Sequence, residues 1–178
     1  QAQLLQQKVL RWRQRLLPPA LPLLSLRKTV TFDDLPVTTV YPALPSSLYD
    51  NLLWTNGHYL WATLTQFPTS GYPILLTSGN QTGWYQGNSM LTIQSITNCT
   101  TFTFNSVLMI AGWTATLTTS IIGYYNTTRL YNQTLTLTKT TKYLFTPNWS
   151  GINKITMFTA GTPTTDDVGI ENLVITYS

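Results

Sequence analysis

Two pairs of oxygen-bearing side chains near the ends of the body, Asp33-Asp34 and Glu171-Asn172, are the groups best suited to chemistry. Carboxylates and an amide carbonyl are hard donors, the ligand set of Ca2+ and of few other metals. They can meet only where a first and a last strand lie side by side, an arrangement common in β-sandwiches. Two readings stay open: a structural Ca2+ site formed by Asp33, Asp34, Glu171 and Asn172, or turns capped by Asp33 or Asp34 and by Asn172 through backbone N–H bonds. Asp166-Asp167, in a loop of Thr, Gly and Pro, reads as a solvated turn.

Catalysis has no visible machinery. His58 is the only histidine and follows Asn56-Gly57 in a turn, and no Gly-x-Ser-x-Gly context accompanies it. The acids are too few and scattered to nominate a glycosidase pair. We therefore expect a non-enzymatic protein that requires no cofactor, structural Ca2+ aside. Trp54, Trp61, Trp84, Trp113 and Trp149 invite a sugar-binding reading, since aromatic faces stack on pyranose rings, although most should be core. Trp84-Tyr85, between Gly83 and Gly87 in a polar stretch, reads as an exposed platform.

Only 9% of the residues are charged, against roughly 25% in ordinary soluble domains, so something else must keep the surface wet. Five sequons, at Asn80, Asn98, Asn126, Asn132 and Asn148, point to N-glycans on a secreted, extracellular chain. Trp149 makes Asn148 the weakest of them if it turns inward. The abundant threonines offer O-glycan positions too. Cys99 is the sole cysteine and reads as a small buried hydrophobe, with an intermolecular bridge as the other reading. Gln1 in place of Met implies a processed N-terminus. No apolar run approaches the 18 or more residues of a membrane span.

The elements that must position these groups are strands. The 178 residues suit one domain plus an extension, and 33 threonines with many Tyr, Trp, Val and Ile make a strand composition. Strands are expected over 49–54, 60–65, 74–77, 90–96, 102–104, 107–110, 113–125, 131–137, 143–145, 155–158 and 173–177, with turns at Asn56-Gly57 and Ser70-Gly71. Before them, Val30 and Phe32 alternate with Thr29 and Thr31 and open the body. Many strands without α-crossovers predict an all-β, antiparallel, jelly-roll-like β-sandwich over 29–178. A parallel β-helix would need a fixed repeat, and none is visible.

Residues 1–28 form an arm of a different kind. Its six basic residues face no acid, whereas the body carries four basic against six acidic residues, a net −2. As a helix the arm aligns Leu5, Val9, Trp12 and Leu16; as a strand it sets Leu10, Trp12 and Leu16 against Arg11, Arg13 and Arg15. Pro18, Pro19 and Pro22 make an extended connector. So apolar a leader needs cover, and opposite charges on arm and body favour docking onto another copy. Leu10, Trp12, Leu16, Leu24 and Leu26 would then fill the neighbour's apolar sites, donor-strand fashion. Such a head-to-tail contact does not close, so it predicts an open homopolymer, a filament. The body offers no basic groove to extend a nucleic-acid footprint, so no nucleic-acid partner is expected.

Thr31-Phe32-Asp33-Asp34-Leu35, the run 49–56, 102–111 leading into Gly112-Trp113, Gly123-Tyr124, Asn148-Trp149-Ser150-Gly151-Ile152 and Ile170-Glu171-Asn172-Leu173 together resemble a family of secreted β-sandwich modules. These modules open with Phe-Asp-Asp and close with Asp-Asn-Leu. The resemblance covers about residues 29–178 and implies an extracellular sandwich; Glu171 stands where the closing motif has Asp. The leading functional reading is a subunit of an extracellular glycosylated filament. The alternative is a secreted carbohydrate-binding or adhesive module presenting Trp84 and Tyr85. A third is a membrane-surface module that uses the arm as a basic amphipathic helix.

Overall fold

The computed structural model describes residues 26–37, 41–45, 48–63, 67–97 and 100–178. Leu10, Trp12, Leu16, Leu24, Asn98 and Cys99 lie outside the described residues.

In chain order the strands are β1 (Arg27–Val30), β2 (Leu52–Thr55), β3 (His58–Trp61), β4 (Gln81–Tyr85), β5 (Met90–Ser95), β6 (Phe102–Ala111), β7 (Thr116–Tyr125), β8 (Thr128–Thr138), β9 (Tyr143–Phe145), β10 (Trp149–Ile152), β11 (Lys154–Thr159) and β12 (Val168–Tyr177). One helical turn, α1 (Tyr72–Leu75), interrupts them. A five-stranded sheet runs β2-β5-β11-β7-β8, and a seven-stranded sheet runs β10-β6-β12-β4-β3, with β1 on β12 and β9 on β6. All of these pairings are antiparallel. The molecule is thus the all-β sandwich that the alternation predicts, and its core lies between the sheets. Leu91 and Ile93 of β5, Ile121 of β7 and Met157 of β11 there meet Phe102, Phe104 and Met109 of β6 and Ile170 of β12.

The last strand organises the larger sheet. Val168 to Ile170 pair with Tyr85 to Gly83 of β4, whereas Leu173 to Thr176 pair with Val30 to Arg27 of β1. First and last strands are therefore neighbours, as expected. Between the two partners β12 carries a register shift against β6, and Asn172 takes a left-handed φ of 48°. An extra residue in one strand twists the ladder and releases it from pairing, so the gap around Asn172, between Glu171 and Val174, is a bulge.

The chain leaves β1 into that gap. The strand stops at Val30, and Phe32 turns left-handed with its ring fully buried between Tyr49 and Trp54. Strand residues begin at Arg27 rather than Thr29, and Lys28 is held by Asp50 at 2.6 Å.

Further local expectations fail, and β10 falls where no strand is expected. The strand expected over 74–77 is α1, where Pro73 sits in the first turn, a position that needs no N–H donor. Asn105 and Ser106 do not break β6, which runs straight through both expected pieces. The polar stretch around Trp84 is β4, because two of its polar side chains find backbone acceptors inside the protein. Gln81 Nε2 donates to Leu35 O at 2.7 Å and Thr82 Oγ1 to Ile170 O at 2.8 Å.

Candidate functional site

The strands fix which aromatic groups can act together. Successive residues of a strand point to opposite faces, so Trp84 and Tyr85 cannot form one platform. Tyr85 points into the sandwich, where it is fully buried, and its hydroxyl meets Thr119 Oγ1 at 2.6 Å and Thr159 Oγ1 at 3.3 Å. The expected platform is corrected accordingly. Trp84 points outward and is half-buried, with its indole N–H unpartnered among the described residues.

On that outer face Trp84 joins a second aromatic cluster, separate from the main core. His58 lies 4.8 Å from its ring and Tyr41 6.1 Å. Phe67 packs against Tyr41 at 5.6 Å, Tyr72 at 5.8 Å and Trp113 at 6.0 Å. The chain from 67 through α1 lays Phe67, Tyr72 and Leu75 over the outward side of the sheet. It approaches closely because Gly71, Gly112 and Gly169 lack side chains; a Cβ on Gly112 would stand 2.7 Å from the Tyr72 hydroxyl.

The cluster opens into a groove of about 370 Å³ lined by Tyr41, Phe67, Tyr72, Trp84, Trp113 and Asp167, with Gln86, Pro163 and Thr164 at its rim. The loop between β11 and β12 forms one wall. Asp166 closes that loop by accepting from Thr114 Oγ1 and the Thr162 N–H, which hold its carboxyl below the ordinary range. Asp167 is buried and turns to the groove. Its Oδ1 accepts from the Gly87 N–H at 3.3 Å, and its backbone carbonyl accepts from the Gly112 N–H at 2.7 Å. Burial pushes its carboxyl up to about 6, with the charge of Asp166 adding and the Gly87 bond opposing. The Tyr72 phenol is pushed up by burial first and by Asp167 second. The Asp pair is thus divided between a loop clasp and a groove wall. Reasoning from the sequence missed Tyr41, Trp113 and Asp167 as partners of Trp84; Gly112 beside Trp113 was the available signal of close packing.

His58 belongs to the same cluster as a packing ring. It is half-buried, its Nδ1 has no partner among the described residues, and burial lowers its pKa against the opposing carbonyls of Tyr41 and Pro42.

The four expected Ca2+ ligands are only partly assembled. Asp34 Oδ1 accepts from the Tyr49 hydroxyl at 2.6 Å, and Asn172 Nδ2 donates to Thr77 Oγ1 at 2.6 Å. Asp33 takes the Ser78 hydroxyl at 3.0 Å and the Gln81 N–H at 3.4 Å. Among the described residues no three His, Cys, Asp or Glu side chains are grouped to hold a metal. Asp33 and Glu171 are nevertheless close enough to couple. Glu171 is wholly buried with both carboxylate oxygens unpartnered among the described residues, and burial, then the charge of Asp33, pushes its carboxyl up to about 9.

Asn80, Asn126, Asn132 and Asn148 are all exposed, so these four sequons are sterically open. Trp149 does turn inward, stacked on Tyr131 at 5.2 Å and 6° from parallel, but Asn148 points away with φ 52°. No helix among the described residues is long and apolar enough to cross a membrane.

Fold and groove define an all-β sandwich with a surface aromatic site. No family model matches the chain, and no curated protein matches it. Among solved structures it is similar to the K2 cleaved adhesin domain of Lys-gingipain, with a TM-score of 0.51 and 8% identity over 86% of this chain and 99% of that domain. At that identity the likeness concerns the fold.

Proposed function

We propose that this protein is a secreted adhesive module that binds carbohydrate in the groove on the outer face of its larger sheet. The observation that carries the reading is the grouping of Tyr41, Trp84 and Trp113 around a buried carboxylate, with Gln86 and Thr164 at the rim. Aromatic faces take the apolar side of a pyranose, and a few polar groups fix its hydroxyls. The likeness of its fold to an adhesin domain supports an extracellular role. So does the pairing of Val30 with Leu173, which sets the end of β1 beside the start of the closing motif of the secreted modules it resembles. N-glycans would occupy the exposed sequons, and a structural Ca2+ would be held by Asp33 and Glu171, neutralising two neighbouring acids. A glycan array with the full chain tests the reading. Binding that is lost in Trp84→Ala and in Trp113→Ala, with the far-ultraviolet spectrum unchanged, is expected; binding unaffected by both removes it.

A second observation favours the filament as an additional property. Leu26 and Ile96 are 61% and 50% exposed and, with Tyr177, line an apolar hollow of about 350 Å³ where the arm enters β1. A neighbour's arm, with Leu10, Trp12, Leu16 and Leu24, would cover it. Since β1 begins at Arg27, deletion of residues 1–25 spares the sheet. Fibres in negative-stain images of the full chain, absent after that deletion, are expected; fibres that persist exclude insertion of the arm.

A further inference from the structure

The groove has a charge as well as a shape. Among its lining and rim residues there is no lysine or arginine, and Asp167 is the one carboxylate. That carboxylate is poorly compensated: it is 6% exposed, it receives the Gly87 N–H at Oδ1, and no other hydrogen bond or ion pair reaches it among the described residues. Tyr72 sits near enough for its phenol to feel the Asp167 charge. A buried anion with one neutral donor and aromatic rings around it lacks a cation.

We propose, building on the carbohydrate reading above, that the groove selects an amino sugar whose amine is free, with Asp167 as the counter-ion of the ammonium group. An ammonium group beside Asp167 gains an ion pair in surroundings where Coulomb interactions are weakly screened. The faces of Trp84, Trp113 and Tyr41 add cation–π attraction and take the apolar side of the ring. Gln86 and Thr164 offer an amide and a hydroxyl to the sugar hydroxyls, groups a bare quaternary ammonium ion would leave unused. A neutral sugar would bury the carboxylate without a counter-charge, and an N-acetylated one would in addition spend its nitrogen on a neutral amide. About 370 Å³ is within the range of small-ligand sites and accommodates one or two sugar units.

Isothermal titration of the full chain with tetramers of glucosamine, N-acetylglucosamine and glucose, and with choline, provides the test. The glucosamine tetramer is expected to bind at least ~10-fold more tightly than the other three, about 1.4 kcal/mol. Asp167→Asn should bring it level with the glucose tetramer. Pro163→Lys, which places a cation on the exposed rim without removing a polar contact or touching the buried wall, should do the same, so the inference survives a poorly folding Asp167 variant. Equal affinity for the three tetramers, or a preference that persists in Pro163→Lys and Asp167→Asn, would overturn the choice of ligand and leave the carbohydrate reading standing. Choline bound as tightly as the amino sugar overturns it in favour of a quaternary ammonium ligand. If no tetramer binds the wild-type chain, the carbohydrate reading falls with it.

Discussion

The hydroxyl of Tyr85 lies 2.6 Å from Thr119 Oγ1, across the interior of the sandwich from β4 to β7. It joins the two sheets within the core, and burial pushes the phenol up to about 12 against the opposing effect of Thr119 and Thr159. Tyr85→Phe removes this bond and leaves the Thr119 hydroxyl only the Phe158 carbonyl, at 3.2 Å, and a hydrogen bond of this kind contributes about 0.5–1.5 kcal/mol. Urea denaturation should show that loss, while sugar binding stays at the wild-type level. Trp84→Ala should behave oppositely, losing binding with a smaller change in stability. Adjacent residues on opposite faces of one strand separate the two effects.

Phe32 depends on a missing side chain in the same strand. A Cβ on Gly83 would stand 2.5 Å from Phe32 Cζ, and the ring is enclosed by Tyr49 and Trp54. Overpacking a filled core costs about 1–3 kcal/mol. Gly83→Ala is therefore expected to lower stability by that amount in a denaturant titration. Gly83→Ala combined with Phe32→Leu should recover part of it, because the smaller side chain makes room; a double variant no better than the sum of the singles would show that the two residues do not press on each other.

The fold was legible because threonine-rich alternation reports strands wherever one face is wet, as in β8 with Leu135 and Leu137 inward and Thr134 and Thr136 outward. Pairing of the first with the last strand was legible too. Less visible were segments whose polar residues are buried, since Gln81 and Thr82 resemble loop until their donor contacts to Leu35 and Ile170 are known. The groove was the least legible part. Tyr41, Trp84, Trp113 and Asp167 are spread over more than a hundred residues, and only the topology of the larger sheet brings them together. Alternation alone, applied within 81–85, would have separated Trp84 from Tyr85.

Glu171 should set the pH dependence of stability. An ordinary glutamate in the unfolded chain titrates near 4.5, whereas in the fold burial and Asp33 push it to about 9. Between those values the folded state holds a proton that the unfolded chain has released, so stability falls as pH rises through this window. Glu171→Gln keeps the neutral shape and should flatten the slope, gaining more than about 1 kcal/mol at pH 8. Melting curves from pH 5 to 9 measure it, and equal slopes in the two proteins would remove Glu171 as the cause. Added Ca2+ at pH 8 should raise the melting temperature of the wild type and leave Glu171→Gln unmoved; a wild type indifferent to Ca2+ removes the cation while keeping the proton.

Asn126 combines a turn, a hydrogen bond and a sequon. It is the first residue of the two-residue link between β7 and β8, with φ 54°, a region Asn tolerates better than other non-glycine residues. Its N–H donates to Asn153 Oδ1 and its own Oδ1 accepts from Asn153 Nδ2, both at 2.8 Å. A glycan attaches through Nδ2 and leaves Oδ1 free to accept, so the clasp and the sugar are compatible. Asn126→Gly keeps the backbone and loses one bond, whereas Asn126→Ala also meets the left-handed strain, adding about 1 kcal/mol. Thermal melts of protein stripped of its sugars should therefore rank wild type above Gly above Ala. Intact-mass measurement of chain secreted from a eukaryotic host should show sugar on Asn126, because the fold fixes the residue at an exposed hairpin tip and engages only the oxygen of its amide. An unmodified Asn126 alongside occupied Asn132 and Asn148 would mean that the clasp with Asn153 closes before the sugar can be added.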